Sequence, residues 1–334
     1  MNSEILSLTI AQAYKTYPFL DDFFLSCAIQ PPVKTDMRTF EQWLEDLEYF
    51  TLDEIGLDRD ELPGLLERFI IRMLERCSGE QLNVESITIM SGCDKDGNPE
   101  VPELTLKKGD VVSIVGATGS GKSRLLSDIE WLAQGDTPTK RRVLINGQIP
   151  PQSLRFSIDK KPVAQLSQTM NFVMDITVEK FLHIHCDSHM IKDKDKKAKE
   201  ILRAANLLSG EALKMDMPVT SLSGGQSRAL MIADTAYIST APIVVIDEIE
   251  NAGINRKNAI ELLLKAEKIV LMATHDPVLA LQADRRIVIK NGGIQRVIKT
   301  TDSERAVLAE LERMNEKIMQ CRERMRNGDL VESI

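Results

Sequence analysis

The eight residues "GATGSGKS" have the types and spacing needed to hold a chain of phosphate groups. They follow the apolar stretch "DVVSIV" and precede "RLLSDIEWLA", so the sequence predicts a strand, a tight loop and a helix in that order. Glycines let backbone N–H groups turn inward around phosphate oxygens at the positive end of a helix. The predicted phosphate-binding residues are Gly116, Ala117, Thr118, Gly119, Ser120, Gly121, Lys122 and Ser123.

Four side chains on this loop and on a second stretch, "IVVIDE", could carry out hydrolysis. Lys122 is predicted to place its charge on the β- and γ-phosphates, and the Ser123 hydroxyl suits Mg²⁺. Asp247 ends a buried strand and is predicted to hold Mg²⁺ through water. Glu248 follows and is predicted to polarise the attacking water as a general base. Acids that end a strand can also simply cap a helix, but the phosphate loop favours the catalytic interpretation.

Three further motifs accompany these two. "LSGGQ" occupies residues 222–226, "LSQTMNFVMDITVEKF" places Gln168 just after a predicted strand, and "MATHDP" places His275 at the end of another. In this order the set resembles the ATP-binding cassette (ABC) ATPases, over residues 81–300. The combination of "LSGGQ" ahead of "VVIDE" with a late histidine is specific, because an ordinary phosphate-loop ATPase lacks the first motif.

The resemblance implies a role for each matching residue. Gln168 matches the glutamine that senses Mg²⁺ and the attacking water, and His275 matches the histidine that contacts the γ-phosphate. The signature residues would complete the ATP site of a second nucleotide-binding domain, and they are Ser223, Gly224, Gly225 and Gln226. The implied ligands are ATP and Mg²⁺, the implied reaction is hydrolysis to ADP and phosphate, and the implied active form is a homodimer or a pair with a similar cassette.

The elements that must position these residues change in character along the chain. Residues 1–80 carry apolar residues at helical spacing and predict a small all-helical domain. Residues 81–300 alternate short β-rich runs with helices, which predicts an α/β domain with a mainly parallel sheet. The resemblance makes it a phosphate-loop NTPase of ABC type with a helical signature subdomain at about 170–240. Residues 301–334 predict a charged C-terminal helix.

Two departures from the family pattern affect the predicted site. The region "LNVESITIMSGCDKDG" has no aromatic residue to stack on adenine, so Ile89 and Met90 are the alternatives, together with a loosely held base. After the two acids, the family's interface loop commonly ends in an aspartate. Here that loop reads Asn251, Ala252, Gly253 and Ile254, and Ile249 stands where proline is common. Either communication between the two sites is altered or backbone contacts suffice.

Residues 1–80 also resemble a known small domain. The shared features are a threonine-led helix, "YP", an aromatic residue before Cys27, and "GLDRDEL". They resemble the helical domain at the front of di-iron proteins that repair iron–sulfur clusters. The alternative is an unrelated helical adaptor.

The stretch "HIHCDSH" holds three of the four histidines of the chain. If it is helical, His185 and His189 share a face with Cys186 beside them, a spacing that can bind a transition metal. The favoured interpretation is nevertheless a set of polar residues on a helix of the signature subdomain, which also includes His183.

The bulk properties of the chain narrow its surroundings. A net charge of −8 over 334 residues does not favour nucleic-acid binding. Five scattered cysteines fit a reducing compartment. Neither a signal peptide nor a membrane-spanning stretch is evident. We therefore expect a cytoplasmic protein that reaches the inner face of a membrane only through a partner.

Two functions remain open at this point. The first is a soluble ABC ATPase whose ATP-driven dimer closure does mechanical work on a protein partner, in assembly, repair or activation of a metalloenzyme. The alternative is the ATP-binding subunit of a membrane transporter, docked on a separate permease. The helical front domain and the missing adenine aromatic tilt the prediction toward the first. A DNA-repair ATPase would need a long coiled-coil insertion before "LSGGQ", and the span here is too short.

Overall fold

A computed structural model of the protein describes most of the chain. The described residues are 4–17, 19–27, 29–46, 61–77, 83–101, 103–156, 161–167, 172–189, 191, 193–248 and 254–330. The chain divides into two compact units, residues 1–80 and residues 81–334.

The first unit is helical in its described part. Its helices are α1 (Glu4–Ser7), α2 (Ile10–Thr16), α3 (Leu20–Ser26), α4 (Phe40–Glu45) and α5 (Leu62–Cys77). Thr9 and Thr39 each begin a helix with a capping box, in which a glutamine three residues later returns the hydrogen bond. The core is rich in aromatic rings, among them Phe24, which stacks on Phe40 and meets Trp43 edge-on.

The second unit contains two sheets. The strands are β1 (Ser86–Met90), β2 (Glu103–Lys107), β3 (Val111–Val115), β4 (Arg142–Ile145), β5 (Val163–Leu166), β6 (Ile243–Asp247), β7 (Ile269–Ala273), β8 (Arg285–Lys290) and β9 (Gly293–Lys299). The small sheet has the order β2–β1–β4 and is antiparallel. The large sheet has the order β5–β6–β7–β3–β8–β9, with parallel pairing up to β8 and an antiparallel β8–β9 hairpin at its edge.

Eight helices accompany these sheets in the described residues. They are α6 (Lys122–Glu130), α7 (Gln152–Phe156), α8 (Val178–Ser188), α9 (Lys194–Leu208), α10 (Gly224–Tyr237), α11 (Arg256–Lys265), α12 (Pro277–Gln282) and α13 (Asp302–Arg326). α8, α9 and α10 share a hydrophobic core of their own, which includes Phe181, Ile201 and Leu230. These three helices form the helical subdomain that carries the signature.

Both faces of the large sheet are buried. Along β6, Ile243 and Val245 belong to one core cluster, whereas Val244 and Ile246 belong to the other. A strand covered on both faces needs apolar residues at every position, because successive side chains point to opposite faces. This requirement explains the uninterrupted "IVVI" ahead of the two acids.

The described helices include none that is long and apolar enough to cross a membrane.

Candidate functional site

The predicted site residues follow neighbouring parallel strands. The phosphate loop follows β3, Asp247 ends β6 and His275 comes two residues after β7. In the sheet β6 pairs with β7, and β7 pairs with β3. The carboxyl ends of parallel strands meet at one edge, where ligands bind in open α/β sheets. The fold therefore brings these residues to one crevice from distant parts of the chain.

The phosphate loop is closed over its own lysine. The Lys122 Nζ donates to the carbonyl oxygens of Gly116 at 2.8 Å and Ala117 at 3.2 Å. The lysine is buried, although it carries a charge. A buried ammonium needs such partners, and phosphate oxygens of ATP would replace them with stronger, charge-assisted bonds.

The turn between β8 and β9 supports the phosphate loop from behind. Its Gly292 N–H donates to the Ser120 carbonyl at 2.7 Å, and its own carbonyl accepts from Arg141 at 2.7 Å. Arg141 is fully buried and also pairs with Asp128 and Glu100. Because Asp128 lies on α6, the helix that follows the loop, this network joins the loop, its helix and the turn into one supported unit.

The hydroxyl and carboxylate predicted to hold Mg²⁺ are in contact. The Ser123 Oγ donates to the Asp247 Oδ2 at 3.1 Å. Hard oxygen donors of these two kinds suit Mg²⁺, which keeps several waters and takes one or two protein ligands alongside phosphate oxygens. The residues therefore fit the ion. Gln168, the third predicted ligand, lies outside the described residues.

Glu248 and His275 face each other beyond the magnesium residues. The Glu248 Oε1 lies 4.0 Å from the His275 Nδ1. The Glu248 N–H donates to the Ala273 carbonyl at 3.1 Å, which holds the residue to the end of β7. Its φ of 51° is in the left-handed region, which is uncommon for a residue with a side chain and concentrates at functional sites.

Arg228 is a site residue that the sequence interpretation missed. It lies on α10, is buried, and donates to the Glu248 carbonyl at 2.8 Å and to the Ser167 carbonyl at 3.5 Å. The helix that begins with the signature is thus tied to the predicted base and to the end of β5. The available signal was a charged residue within the otherwise apolar "RALMIA".

Replacing Arg228 with Met should lower the maximal rate of ATP hydrolysis by about tenfold, the effect of losing one charge-assisted hydrogen bond in the transition state. ATP affinity should change little, because Arg228 contacts the carbonyl behind the base rather than the phosphate loop. Arg228→Lys should recover part of the rate, since an ammonium can still reach one carbonyl. Steady-state hydrolysis and equilibrium nucleotide binding measure the two effects, and a wild-type rate in Arg228→Met would contradict the role.

The signature begins a helix, as its sequence predicts. Ser223 is the N-cap of α10, where its Oγ accepts from the Gln226 N–H and the Gln226 side chain accepts from the Ser223 N–H. Gln226 is buried and its amide reaches the Ala212 carbonyl at 3.5 Å, within the helical subdomain. Gly224 and Gly225 form the first turn, where backbone N–H groups can face an anion. These hydrogen bonds stay within the subdomain.

Ile89 and Met90 were the two residues considered for contact with adenine, and the structure leaves only the second available. Ile89 is buried in the core between the sheets, so it is not available to contact adenine, whereas Met90 is half-buried.

A second lysine lies at the phosphate loop, and the sequence interpretation did not consider it. The Lys95 Nζ donates to the Gly119 carbonyl at 3.4 Å. Ile249 and residues 251–253 lie outside the described residues.

Ile254 can be described. It is buried in the core cluster beside α11 and bridges to Ser209 at the end of α9. In a single chain this side chain therefore packs inward, at the position where the family commonly has an aspartate.

The "HIHCDSH" stretch is helical, but its residues have other partners. His185 pairs with Asp234 at 2.9 Å, and that hydrogen bond raises the pKa of His185. His183 lies 3.1 Å from Asp195, and Cys186 is buried in the subdomain core. Among the described residues, no group of three or more His, Cys, Asp or Glu side chains is arranged to hold a metal ion. These partners fit the favoured interpretation, polar residues on a subdomain helix.

Comparison with known proteins finds a matching family model, similar individual proteins and similar solved structures. A family model described as ABC transporter matches residues 100–251. An uncharacterized ABC transporter ATP-binding protein of Methanocaldococcus jannaschii is 51% identical over 249 residues, which cover 74% of this chain and 95% of that protein. Among solved structures, a dimeric ATP-binding cassette bound to ADP and phosphate is 24% identical, covers 64% of this chain and 99% of that chain, and has a TM-score of 0.48.

Longer proteins match with lower identity. The macrolide export ATP-binding/permease protein MacB of a Shewanella species is 29% identical over 231 residues, which cover 64% of this chain. MacB of Campylobacter jejuni is 27% identical over 217 residues. The chain spans about a third of these two proteins, 34% and 32% of their lengths.

Proposed function

Because this chain belongs to the ATP-binding cassette family, we propose that it is the ATP-hydrolysing subunit of an ABC transporter and acts on a separate membrane permease. Cassettes of this family bind and hydrolyse ATP. The observation that carries the proposal is a 51% identity to an ABC transporter ATP-binding protein. The match covers 95% of that protein's length. The MacB relatives, which are named as ATP-binding and permease proteins, support the same partner.

We assign the chemistry to the residues at the strand ends. Water attacks the γ-phosphorus of ATP while the Glu248 carboxylate accepts its proton, and the bond from the γ-phosphorus to the bridging oxygen breaks to leave ADP and phosphate. We assign the contact with the γ-phosphate to His275, whose Nδ1 lies 4.0 Å from the Glu248 Oε1. Lys122 exchanges its loop carbonyls for the β- and γ-phosphates. When bound by Ser123 and Asp247, with Gln168 as the third assigned ligand, Mg²⁺ neutralises charge on the phosphates.

The second half of each site comes from another cassette. The hydrogen bonds of Ser223 and Gln226 stay within the helical subdomain, so the first turn of α10 is available to an ATP held by a partner. In a two-fold pair each chain gives its phosphate loop to one ATP and its signature to the other. Closure on ATP and release after hydrolysis then convert binding energy into movement of the helical subdomain.

A groove at the base of the helical subdomain suits a protein partner. It has a volume of about 390 Å³ and is lined mainly by apolar side chains, including Phe172, Met174 and Phe181. Ser167, at the end of β5, also lines it, so the groove adjoins the strand that leads to Gln168. Val173 at its rim is 94% exposed. An apolar segment of a permease seated there would sense movement at the ATP site.

The partner can be tested by recovering it from the native membrane with the tagged full chain. We expect a permease to co-purify, and Val173→Asp to reduce its recovery several-fold, because a charge would be desolvated in an apolar contact. Ile149→Asp is the matched control, since Ile149 is another exposed apolar residue of the same unit. It should leave recovery unchanged. Thermal unfolding of each variant checks that the fold is intact.

The soluble hypothesis, mechanical work on a metalloenzyme, has no support among these relatives. It rested on the missing adenine aromatic and on residues 1–80. The resemblance of those residues to a di-iron repair domain lies outside the matched residues 100–251 and stays a prediction. Recovery of a soluble metalloenzyme in place of a permease in the same experiment would restore it and would contradict the transporter proposal.

A further inference from the structure

The C-terminal helix α13 carries a continuous apolar stripe at coiled-coil spacing. Steps of four and three residues alternate along the helix, as in the a and d positions of a heptad. The stripe is formed by Val307, Leu311, Met314, Ile318, Cys321 and Met325. It extends for about 27 Å at 1.5 Å per residue. Much of it faces solvent, since Ile318 is 47% exposed and Met325 is 67% exposed.

The cassette holds the helix at its first turn and along a flank beside the stripe. Glu304 pairs with Arg286 of β8, Arg305 pairs with Asp284, and Glu312 accepts from Gln282 at the end of α12. These contacts lie in the first half of the helix. In the second half the polar contacts of the described residues are local, from Arg324 to the Leu330 carbonyl and from Arg322 to the Met319 sulfur. The stripe therefore runs along a flank that the cassette itself leaves exposed.

We propose that this stripe is an interaction surface for a second copy of the same chain, with the two α13 helices packed antiparallel as a short coiled coil. The charges beside the stripe select this arrangement. In the antiparallel register Glu310 lies against Arg324 of the partner subunit, and the two-fold symmetry makes this favourable pair twice. The same register brings Lys317 near Lys317 of the partner subunit at the symmetry axis, which is one unfavourable pair. A parallel register instead sets Lys317 against Arg322 of the partner subunit, again twice, and like charges at these positions oppose pairing.

An antiparallel helix pair fits closed two-fold symmetry. The same patch serves both subunits and the contact ends with the dimer, so no open chain of subunits forms. This contact needs no nucleotide, unlike the signature-to-phosphate contact proposed above. The helix pair would hold two cassettes together between cycles of ATP hydrolysis. Their closure on ATP would then be an intramolecular step, at a high effective concentration of one cassette near the other. That role as a tether rests on the proposed function, whereas the helix pairing does not.

The association state without nucleotide tests the pairing. We expect sedimentation equilibrium of the full chain, free of ATP, to show a dimer, and Ile318→Asp to weaken it by about tenfold or more, because each subunit would place a carboxylate in the apolar seam. Met319→Asp is the matched control. Met319 is 54% exposed but lies outside the stripe, so the dimer should persist. A monomeric wild-type chain, or equal loss in both variants, would overturn the proposal.

The direction of the pair is tested with the native Cys321. In the antiparallel register Leu311 lies opposite Cys321 of the partner subunit, and the two copies of Cys321 are about 15 Å apart. Mild oxidation should therefore cross-link Leu311→Cys as a covalent dimer, and adding Cys321→Ser should remove the cross-link. A cross-link through Cys321 in the wild-type chain would show the parallel register and overturn the arrangement. Neither result depends on ATP hydrolysis or on a permease, so this proposal and the proposed function can fail separately.

Discussion

The Glu248→Gln variant should lose ATP hydrolysis by about 10²–10⁴-fold, the usual contribution of a positioned general base, while it keeps ATP binding. Glutamine has nearly the same shape but cannot accept the proton of the attacking water. The backbone anchors of the residue do not involve the carboxylate, because they are the N–H to Ala273 and the carbonyl from Arg228. The geometry around the bound nucleotide should therefore survive the change.

Glu267→Gln is the matched control for this experiment. Glu267 is another non-glycine residue with positive φ, 55° against 51° at Glu248. It lies beyond α11 and pairs with Lys108, away from the phosphate loop. We expect this variant to hydrolyse ATP at the wild-type rate. Full activity in Glu248→Gln would remove the assignment of the base, and equal loss in both variants would indicate a general effect of the substitution.

The same variant tests the shared site. If hydrolysis is what separates two closed cassettes, ATP should lock Glu248→Gln in the closed arrangement. Because α13 is proposed to hold a dimer without ATP, the experiment is best done with Ile318→Asp present as well. Light scattering should then show a monomer that becomes a dimer on adding ATP. A double variant that stays monomeric with ATP bound would contradict a site completed by Ser223 and Gly225 of a second chain.

The residues proposed to bind phosphate and water are those whose position in the fold the sequence predicts well. Motifs such as "GATGSGKS" need a particular local backbone, so their residues sit together in the chain and can be recognised without a fold. Pairing Lys122 with Asp247, 125 positions later, required only that both follow buried parallel strands. The continuous "IVVI" predicted such a strand correctly, because both of its faces are covered.

The missed residues act through tertiary contacts that leave little trace in local sequence. Arg228 and Arg141 are buried cations whose partners are backbone carbonyls or acids far along the chain. Any arginine can make such contacts, so composition does not single these two out. The strand "ELTLK" was also missed, since its exposed positions carry Glu103, Thr105 and Lys107 and only two leucines mark the buried face.

Two alternatives that the structure does not support fail for related reasons. Spacing placed His185 and His189 on one helical face, but spacing does not show what the neighbouring helix offers, and Asp234 of α10 takes the first of them. Ile89 was considered for adenine because it lies in the matching region. In the structure β1 is the middle strand of its sheet, and Ile89 points into the core between the sheets. Burial of a single strand residue depends on register, which motif matching does not supply.

The stretch "RRIVIKNGGI" is another place where burial and apolar pattern alone mislead, but here the sequence also contains a turn signal. Its β-rich composition predicts one strand, but the structure has β8, a turn at Asn291 and Gly292, both at positive φ, and the start of β9. An Asn-Gly pair between apolar runs is a strong hairpin signature. The turn bears on the proposed function because its Gly292 N–H donates to the Ser120 carbonyl of the phosphate loop.

The Gly121→Ala variant tests whether the β8–β9 turn supports the phosphate loop. It should lower ATP affinity by about a hundredfold, the scale of effect expected when a binding loop moves by about 1 Å. Gly121 has a φ of 108°, and an added Cβ would lie 2.8 Å from the Cα of Gly292. Gly292 cannot move away freely, because its N–H is bound to the Ser120 carbonyl and its carbonyl to Arg141. The phosphate loop must therefore shift instead, which would displace the backbone N–H groups that are proposed to bind the phosphates of ATP.

Gly109→Ala separates this effect from backbone strain alone. Gly109 also has positive φ, 82°, but a Cβ there meets nothing within 4 Å. Alanine at either position should lower the free energy of unfolding by about 1 kcal/mol, because the left-handed conformation is unfavourable for it. Only Gly121→Ala should also weaken ATP binding, measured by titration calorimetry beside thermal unfolding. If both variants bound ATP equally well, the β8–β9 turn would not constrain the loop, and the buried Arg141 network would serve stability alone.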